Sequence, residues 1–248
     1  MSGHSHFSSI KHKKAIEDEK RGKIFSKIAR LISVAAKEGT DPASNPKLRQ
    51  ALEEAKKFGM PKDNIERAIK RGSGKGEIKG EKFEEVSYEA FGPAGIALII
   101  EGITDNRNRT LAEIKNILQK YNGKLAESGS VKWLFERKGC LVVDYQSQTE
   151  ELKDKEKLEM KAVEAGAEDI YWHKTENVLD IYTKPEELDK VKKNLESQGL
   201  KIESASLDWV AKDQIEISEK DRLTCQKLFE ELGESESVQD IYSNIKLP

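Results

Sequence analysis

From Lys20 to Glu38 the apolar positions are Ile24, Phe25, Ile28, Leu31, Ile32 and Ala35. At about 100° per residue they span roughly 120° of arc, which predicts an amphipathic helix ending at Gly39. Lys20, Lys23, Lys27, Arg30 and Lys37 gather on another face, interrupted by Val34. A turn at Thr40–Ser44 precedes Asn45, an N-cap residue, and Pro46 at the first helical position. The stripe Leu48, Ala51, Leu52, Ala55 and Phe58 predicts a second helix, closed by Gly59. A third, short helix begins near Pro61, carries Ile65, Ala68 and Ile69, and stops at Gly72. Three such helices with short connections make a small bundle. The Gly-rich run Arg71–Gly76 then reads as a hinge. It lacks the G-x-x-x-x-G-K-[ST] pattern and the preceding strand of a phosphate loop.

Beyond it the period changes. Phe83–Phe91 and Ile96–Ile103 read as strands, Arg107–Tyr121 as a helix and Val131–Phe135 as a strand. Next come a strand (Cys140–Tyr145), a helix (Glu150–Ala165), strands at Asp169–Lys174 and Val178–Thr183, a helix from Pro185 to Gln198 and a strand at Lys201–Leu207. That order, β-α-β-β-α-β, is the ferredoxin-like one. Gln214–Ile217, Glu219–Leu232 and Val238–Tyr242 supply a further β-α-β set. The fold class expected is therefore multi-domain α+β: an N-terminal helical bundle followed by two ferredoxin-like α/β sandwiches. The expected domains are 1–76, a discontinuous middle domain of 77–137 plus 209–248, and an inserted domain of 138–208. A separate C-terminal cap is the alternative to the discontinuous middle domain.

Charge sharpens this picture. The 248 residues carry 43 Lys and Arg against 45 Asp and Glu, a net of −2. Residues 1–75 hold 18 basic and 9 acidic side chains, whereas 138–248 hold 16 and 26. A basic head on an acidic body is the footprint of a polyanion binder. The arm contributes Lys11, His12, Lys13 and Lys14, and the first helix Lys20, Arg21, Lys23, Lys27 and Arg30. A third cluster, Thr104-Asp105-Asn106-Arg107-Asn108-Arg109-Thr110, joins a strand to a helix. It places Arg107 and Arg109 at a helix N-terminus, where cations oppose the dipole unless an anion or carboxylate faces them.

Other chemistries find little footing. Two cysteines form neither a disulfide framework nor a four-thiolate metal site, and His4 and His6 lack further ligands. No G-x-S-x-G, H-E-x-x-H or C-x-x-C occurs, and His173 is the lone histidine outside the arm. The expectation is a protein with no catalytic residues, no cofactor and no metal. The longest strongly apolar stretch, Gly95–Ile100, is far shorter than the roughly 20 residues of a membrane span. The N-terminus lacks an apolar signal core, so a cytoplasmic protein is expected, monomeric or weakly oligomeric.

Several segments together resemble the YebC/PmpR family. They are Gly3-His4-Ser5, Ile10–Lys14, Lys20-Arg21-Gly22-Lys23, Val34–Lys37, Asp41-Pro42, Asn45-Pro46, Met60–Ile69, Thr104–Thr110 and Gly129-Ser130-Val131. The match is dense to about residue 137 and looser beyond. The resemblance implies three domains, no known enzymatic activity, and a cytoplasmic regulator of gene expression. Family members are described as DNA-binding transcriptional regulators, and some relatives as translation factors acting at the ribosome. The partner expected is thus nucleic acid, DNA or RNA, with the ribosome as the alternative target.

Overall fold

A computed structural model describes residues 18–74, 82–173 and 177–246. The Gly-rich stretch 75–81 and the arm, with Lys11, His12, Lys13 and Lys14, lie outside the described residues.

Three helices open the described chain: α1 (Asp18–Ala35), α2 (Pro46–Lys57) and α3 (Lys62–Gly72). The side chain of Asn45 accepts the Leu48 N–H at 3.0 Å and caps α2. Ile28, Ile32, Leu48, Ala51, Ala55 and Ala68 form the core of this head. Gly72 is the last residue of α3, where the sequence places the helix end, and is pressed on α1. A β-carbon there would lie 2.1 Å from the Ser33 carbonyl oxygen. Ser33 strengthens the same contact by donating to the Ala68 carbonyl at 3.0 Å. Gly72→Ala is therefore expected to push the two helices apart and cost on the order of 2 kcal/mol, read as a lower thermal midpoint.

The remaining elements are β1 (Glu84–Phe91), β2 (Ala97–Thr104), α4 (Arg107–Lys120), β3 (Lys124–Leu125), β4 (Phe135–Asp144), α5 (Lys155–Ala165), β5 (Asp169–Trp172), β6 (Val178–Thr183), α6 (Leu188–Ser197), β7 (Ser204–Ala211), α7 (Glu219–Glu234) and β8 (Val238–Ser243). They build two four-stranded antiparallel sheets, ordered β3-β1-β2-β8 and β5-β6-β4-β7. The second has the ferredoxin-like order for its β-α-β-β-α-β run. The first has the same spatial order, but β1, from the start of the segment, takes the place of the strand that would follow β3.

Buriedness follows the layers. Every residue of β2 except Glu101 is buried, because both of its faces are covered. Leu98 and Ile100 meet Ile114 and Leu118 of α4 and Leu228 and Leu232 of α7. Ala97 and Ile99 face the other way and pack with Val131, Phe135, Ala211 and Tyr242 where the sheets meet. Helices α5 and α6 cover the second sheet over Leu141, Val143, Leu179 and Ile181.

Two expected strands need correction. Val131–Phe135 is not one: Lys132–Leu134 is a 3-10 turn, and β4 begins at Phe135. Val131 and Phe135 are buried because the connector passes between two sheets, whereas Trp133 is exposed. Gln214–Ile217 reduces to a single bridge, Ile215 to Ile245. The last strand of the second sheet also sits later than expected, at Ser204–Ala211.

The connector at 129–132 is held by one buried carboxylate. Glu89 on β1 accepts from the N–H groups of Gly129 (2.6 Å), Val131 (2.6 Å) and Lys132 (2.7 Å). Gly129 has φ +86°, which lets successive N–H groups converge on one anion. Burial pushes the Glu89 carboxyl upward, but the three N–H donors and Lys132 outweigh it, so its pKa lies below the ordinary value.

Candidate nucleic-acid interface

The cationic residues of α1 divide into two groups. Lys20 and Arg21 lie in the first turn of α1, where Arg21 is exposed; the Lys20 side chain lies outside the described residues. Lys23, Lys27 and Arg30 continue the stripe one and two turns on, and all three meet the body. Lys23 pairs with Glu234. Lys27 is 3% exposed, and its ammonium donates to the Gly233 carbonyl at 2.7 Å. Gly233 and Glu234 end α7, so these lysines sit at the negative end of its dipole. Arg30 donates to the Ile103 carbonyl (3.2 Å), Ser237 Oγ (3.0 Å) and Glu236 Oε2 (2.8 Å). Its guanidinium stands 5.3 Å from the Phe83 ring, as does that of Arg71 at 5.6 Å. Lys37, on the same face, donates to the Phe83 carbonyl.

The second cluster lies at the same end of the first sheet. β2 delivers the chain to Thr104, whose Oγ1 accepts the Asn106 N–H at 2.9 Å. The Asn106 side chain then accepts the Arg109 N–H at 3.1 Å and caps α4. No acidic residue lies in the first turn of α4. The carboxylates come from outside it. Arg107 Nε is 2.9 Å from Glu84 of β1, and Arg109 pairs with Asp105 just before the helix. Both arginines stay exposed, at 63% and 58% of the side chain. Exposed pairs of this kind contribute about 0–1 kcal/mol each, so an anionic ligand can displace the carboxylates at little cost. Because β8 runs antiparallel to β2, the C-terminus of α7 lies at this same end. The N-terminal half of α1 and the N-terminus of α4 are thereby brought to one region of the molecule.

Sequence reasoning singled out the cations and missed their partners. Glu84, Glu234 and Glu236 are ordinary glutamates in a chain rich in them. Trp133 also stands apart, 64% exposed, with its indole N–H on the Ser130 carbonyl at 2.9 Å.

A cavity of about 780 Å³ opens where the head meets both sheets, lined by Leu31, Val34, Gln50, Glu101, Arg137 and Asp208 among others. On its wall, Arg137 reaches Glu101 at 3.1 Å, and the Trp209 indole N–H donates to Glu101 at 2.7 Å. Tyr242 is deeply buried nearby, and burial, followed by Asp240, Asp208 and Glu101, pushes its pKa well above the ordinary value. Among the described residues no group of three or more His, Cys, Asp and Glu is placed to hold a metal ion. Cys140 and Cys225 are both buried, and burial pushes the Cys225 thiol up to about 11. His173 Nε2 lies 2.8 Å from the buried Asp180 carboxylate. No described helix is long and apolar enough to cross a membrane.

These features define an α+β protein with an N-terminal helical region, two four-stranded antiparallel sheets and cations gathered toward one end. Residues 5–75 match the TACO1/YebC protein N-terminal domain, and residues 83–245 match the TACO1/YebC second and third domain. The chain belongs to the TACO1/YebC family. It is 48% identical over 250 residues to a probable transcriptional regulatory protein of Halothermothrix orenii, covering 100% of this chain and 96% of that one. A protein of the same description from Aquifex aeolicus is 47% identical over 252 residues, covering 100% and 97%. The crystal structure of a conserved hypothetical protein from Aquifex aeolicus superposes with a TM-score of 0.86 at 46% identity, covering 98% of each chain.

Proposed function

We propose that this protein is a non-enzymatic, nucleic-acid-binding regulator of gene expression, acting on DNA as a transcriptional regulator in the cytoplasm. The observation that carries this reading is the concentration of positive charge: 18 basic against 9 acidic residues in positions 1–75. Arg107 and Arg109, exposed at the N-terminus of α4, extend it. The relatives' description as probable transcriptional regulatory proteins supports the same reading. Phosphate contacts by Lys11, His12, Lys13, Lys14, Lys20, Arg21, Arg107 and Arg109 would supply affinity without reading bases. In the same proposal the chain divides into folding units 1–76, 77–137 with 209–248, and 138–208, and acts as a monomer or weak oligomer without a cofactor.

The test is a competition titration of labelled duplex DNA against ribosomal RNA at several salt concentrations. The expected result is binding that weakens linearly in log affinity against log salt, with duplex DNA preferred near physiological salt. Preference for ribosomal RNA would move the protein to translation. A flat salt response would overturn the nucleic-acid reading altogether.

A further inference from the structure

We infer that the docked head masks part of its own phosphate-binding surface, so that Lys23, Lys27 and Arg30 engage a nucleic-acid backbone only when the head leaves the end of α7. This inference rests on the function proposed above and concerns the regulation of that site.

Three observations carry it. First, the apolar clusters do not cross the joint. The head's cluster draws only on residues between Ile24 and Ile69, and the clusters of the two sheets contain none of them. Second, the joint is crossed by hydrogen bonds and ion pairs, with the Arg30 and Arg71 guanidiniums over the Phe83 ring. Toward the first sheet they include Lys23 to Glu234, Lys27 to the Gly233 carbonyl, Arg30 to Ile103, Ser237 and Glu236, and Lys37 to the Phe83 carbonyl. Toward the second unit they are Gln50 to the Ala205 carbonyl, Lys57 to Glu203, Arg49 to Asp189 and Lys192 to Glu53. Third, the cavity of about 780 Å³ lies in this joint, where a close-packed interface would have side chains. A polar interface of this kind permits relative motion of the parts it joins.

The acceptors are telling. Two carboxylates and a helix C-terminus offer α1 the same kind of partner that a phosphate backbone offers: oxygens carrying full or partial negative charge. A polyanion therefore competes for the same donors. Binding then draws on the undocked fraction, and apparent affinity falls below the intrinsic affinity by that fraction. Weakening the internal acceptors should raise it.

The experiment uses the full chain and a random-sequence duplex DNA, with affinity read by fluorescence anisotropy and head release by small-angle scattering. The test variant is Glu234→Gln/Glu236→Gln, both residues about half exposed. The control is Glu151→Gln/Glu186→Gln, exposed residues elsewhere with the same change in net charge. We expect a larger radius of gyration and roughly fivefold tighter binding for the test pair, against less than about twofold for the control. Adding Lys23→Gln/Arg30→Gln to the test pair should drop affinity below that of the parent chain. Equal tightening in test and control would mean that net charge alone acts, and would sink the inference. So would tightening that survives loss of Lys23 and Arg30, or head release without any change in affinity. If no variant binds duplex DNA at any salt, the underlying function falls, and scattering still reports separately whether the head moves.

Discussion

Replacing Arg107 and Arg109 together by glutamate is expected to weaken duplex binding on the order of 10- to 100-fold at moderate salt. It should also reduce the slope of log affinity against log salt by about two. The size follows from the loss of two charge-assisted phosphate contacts and the gain of two repulsive charges. The local structure should survive, because the α4 cap rests on Asn106 and Thr104, not on the arginine side chains. Acidic residues in a first helical turn also interact favourably with the dipole. The new glutamates would face Glu84 and Asp105, so Arg107→Gln/Arg109→Gln is the companion variant. It should keep the full thermal midpoint and show the same slope with a smaller loss of affinity. Unchanged affinity and slope in both variants would remove this end of α4 from the binding surface.

The largest effect on stability is expected at Glu89. Glu89→Ala leaves the N–H groups of Gly129, Val131 and Lys132 without their acceptor in a buried connector, at a cost on the order of 3 kcal/mol or more. Glu89→Gln retains one acceptor oxygen but turns an amide N–H₂ toward donors, so it should fall between. The parent chain should show the matching pH dependence. The Glu89 carboxyl has a lower pKa folded than unfolded, so its contribution is fully present above the ordinary carboxylate value. It is lost as pH falls through the folded value. Denaturant midpoints measured from pH 7 downward should therefore decline more steeply for the parent than for Glu89→Gln. Parallel curves would refute this role.

How much of this was legible in the sequence depends on how local each cause is. The α1 stripe, the Asn45 cap and the Gly39 stop are written within a few residues, and the helix with its short terminal turn runs from Asp18 to Glu38. The β1–β2 hairpin was legible because Gly92-Pro93 interrupts two runs of β-type residues. Val131–Phe135 misled because Val131 and Phe135 are buried where the two sheets meet, at the ends of a 3-10 turn and not along a paired strand. The cations of α1 were readable as a face, but what covers that face lies about 206 residues further on, at the end of α7. Nothing local marks Gly233 as an acceptor. The need for carboxylates near Arg107 and Arg109 followed from the helix dipole. One of them, Asp105, is adjacent, while Glu84 became apparent only from the pairing of β1 with β2. Glu89 gave no signal at all, since one glutamate in a strand looks like any other until three N–H groups converge on it.

The place of β8 bears on how the chain is made. During synthesis β1, β2 and α4 emerge early, yet β2 gains its second neighbour only when residues 238–243 arrive. Until then an almost wholly apolar strand presents an unpaired edge, the kind of edge that recruits foreign strands. At about 5–20 residues per second, the 133 residues between Thr104 and Val238 keep that edge open for roughly 7–27 seconds. The second sheet, complete by Ala211, can close first. A nascent chain stalled before α7 should thus be captured by chaperones far more readily than the finished protein, and loss of the last dozen residues should be felt at the centre of the first sheet, not at its margin.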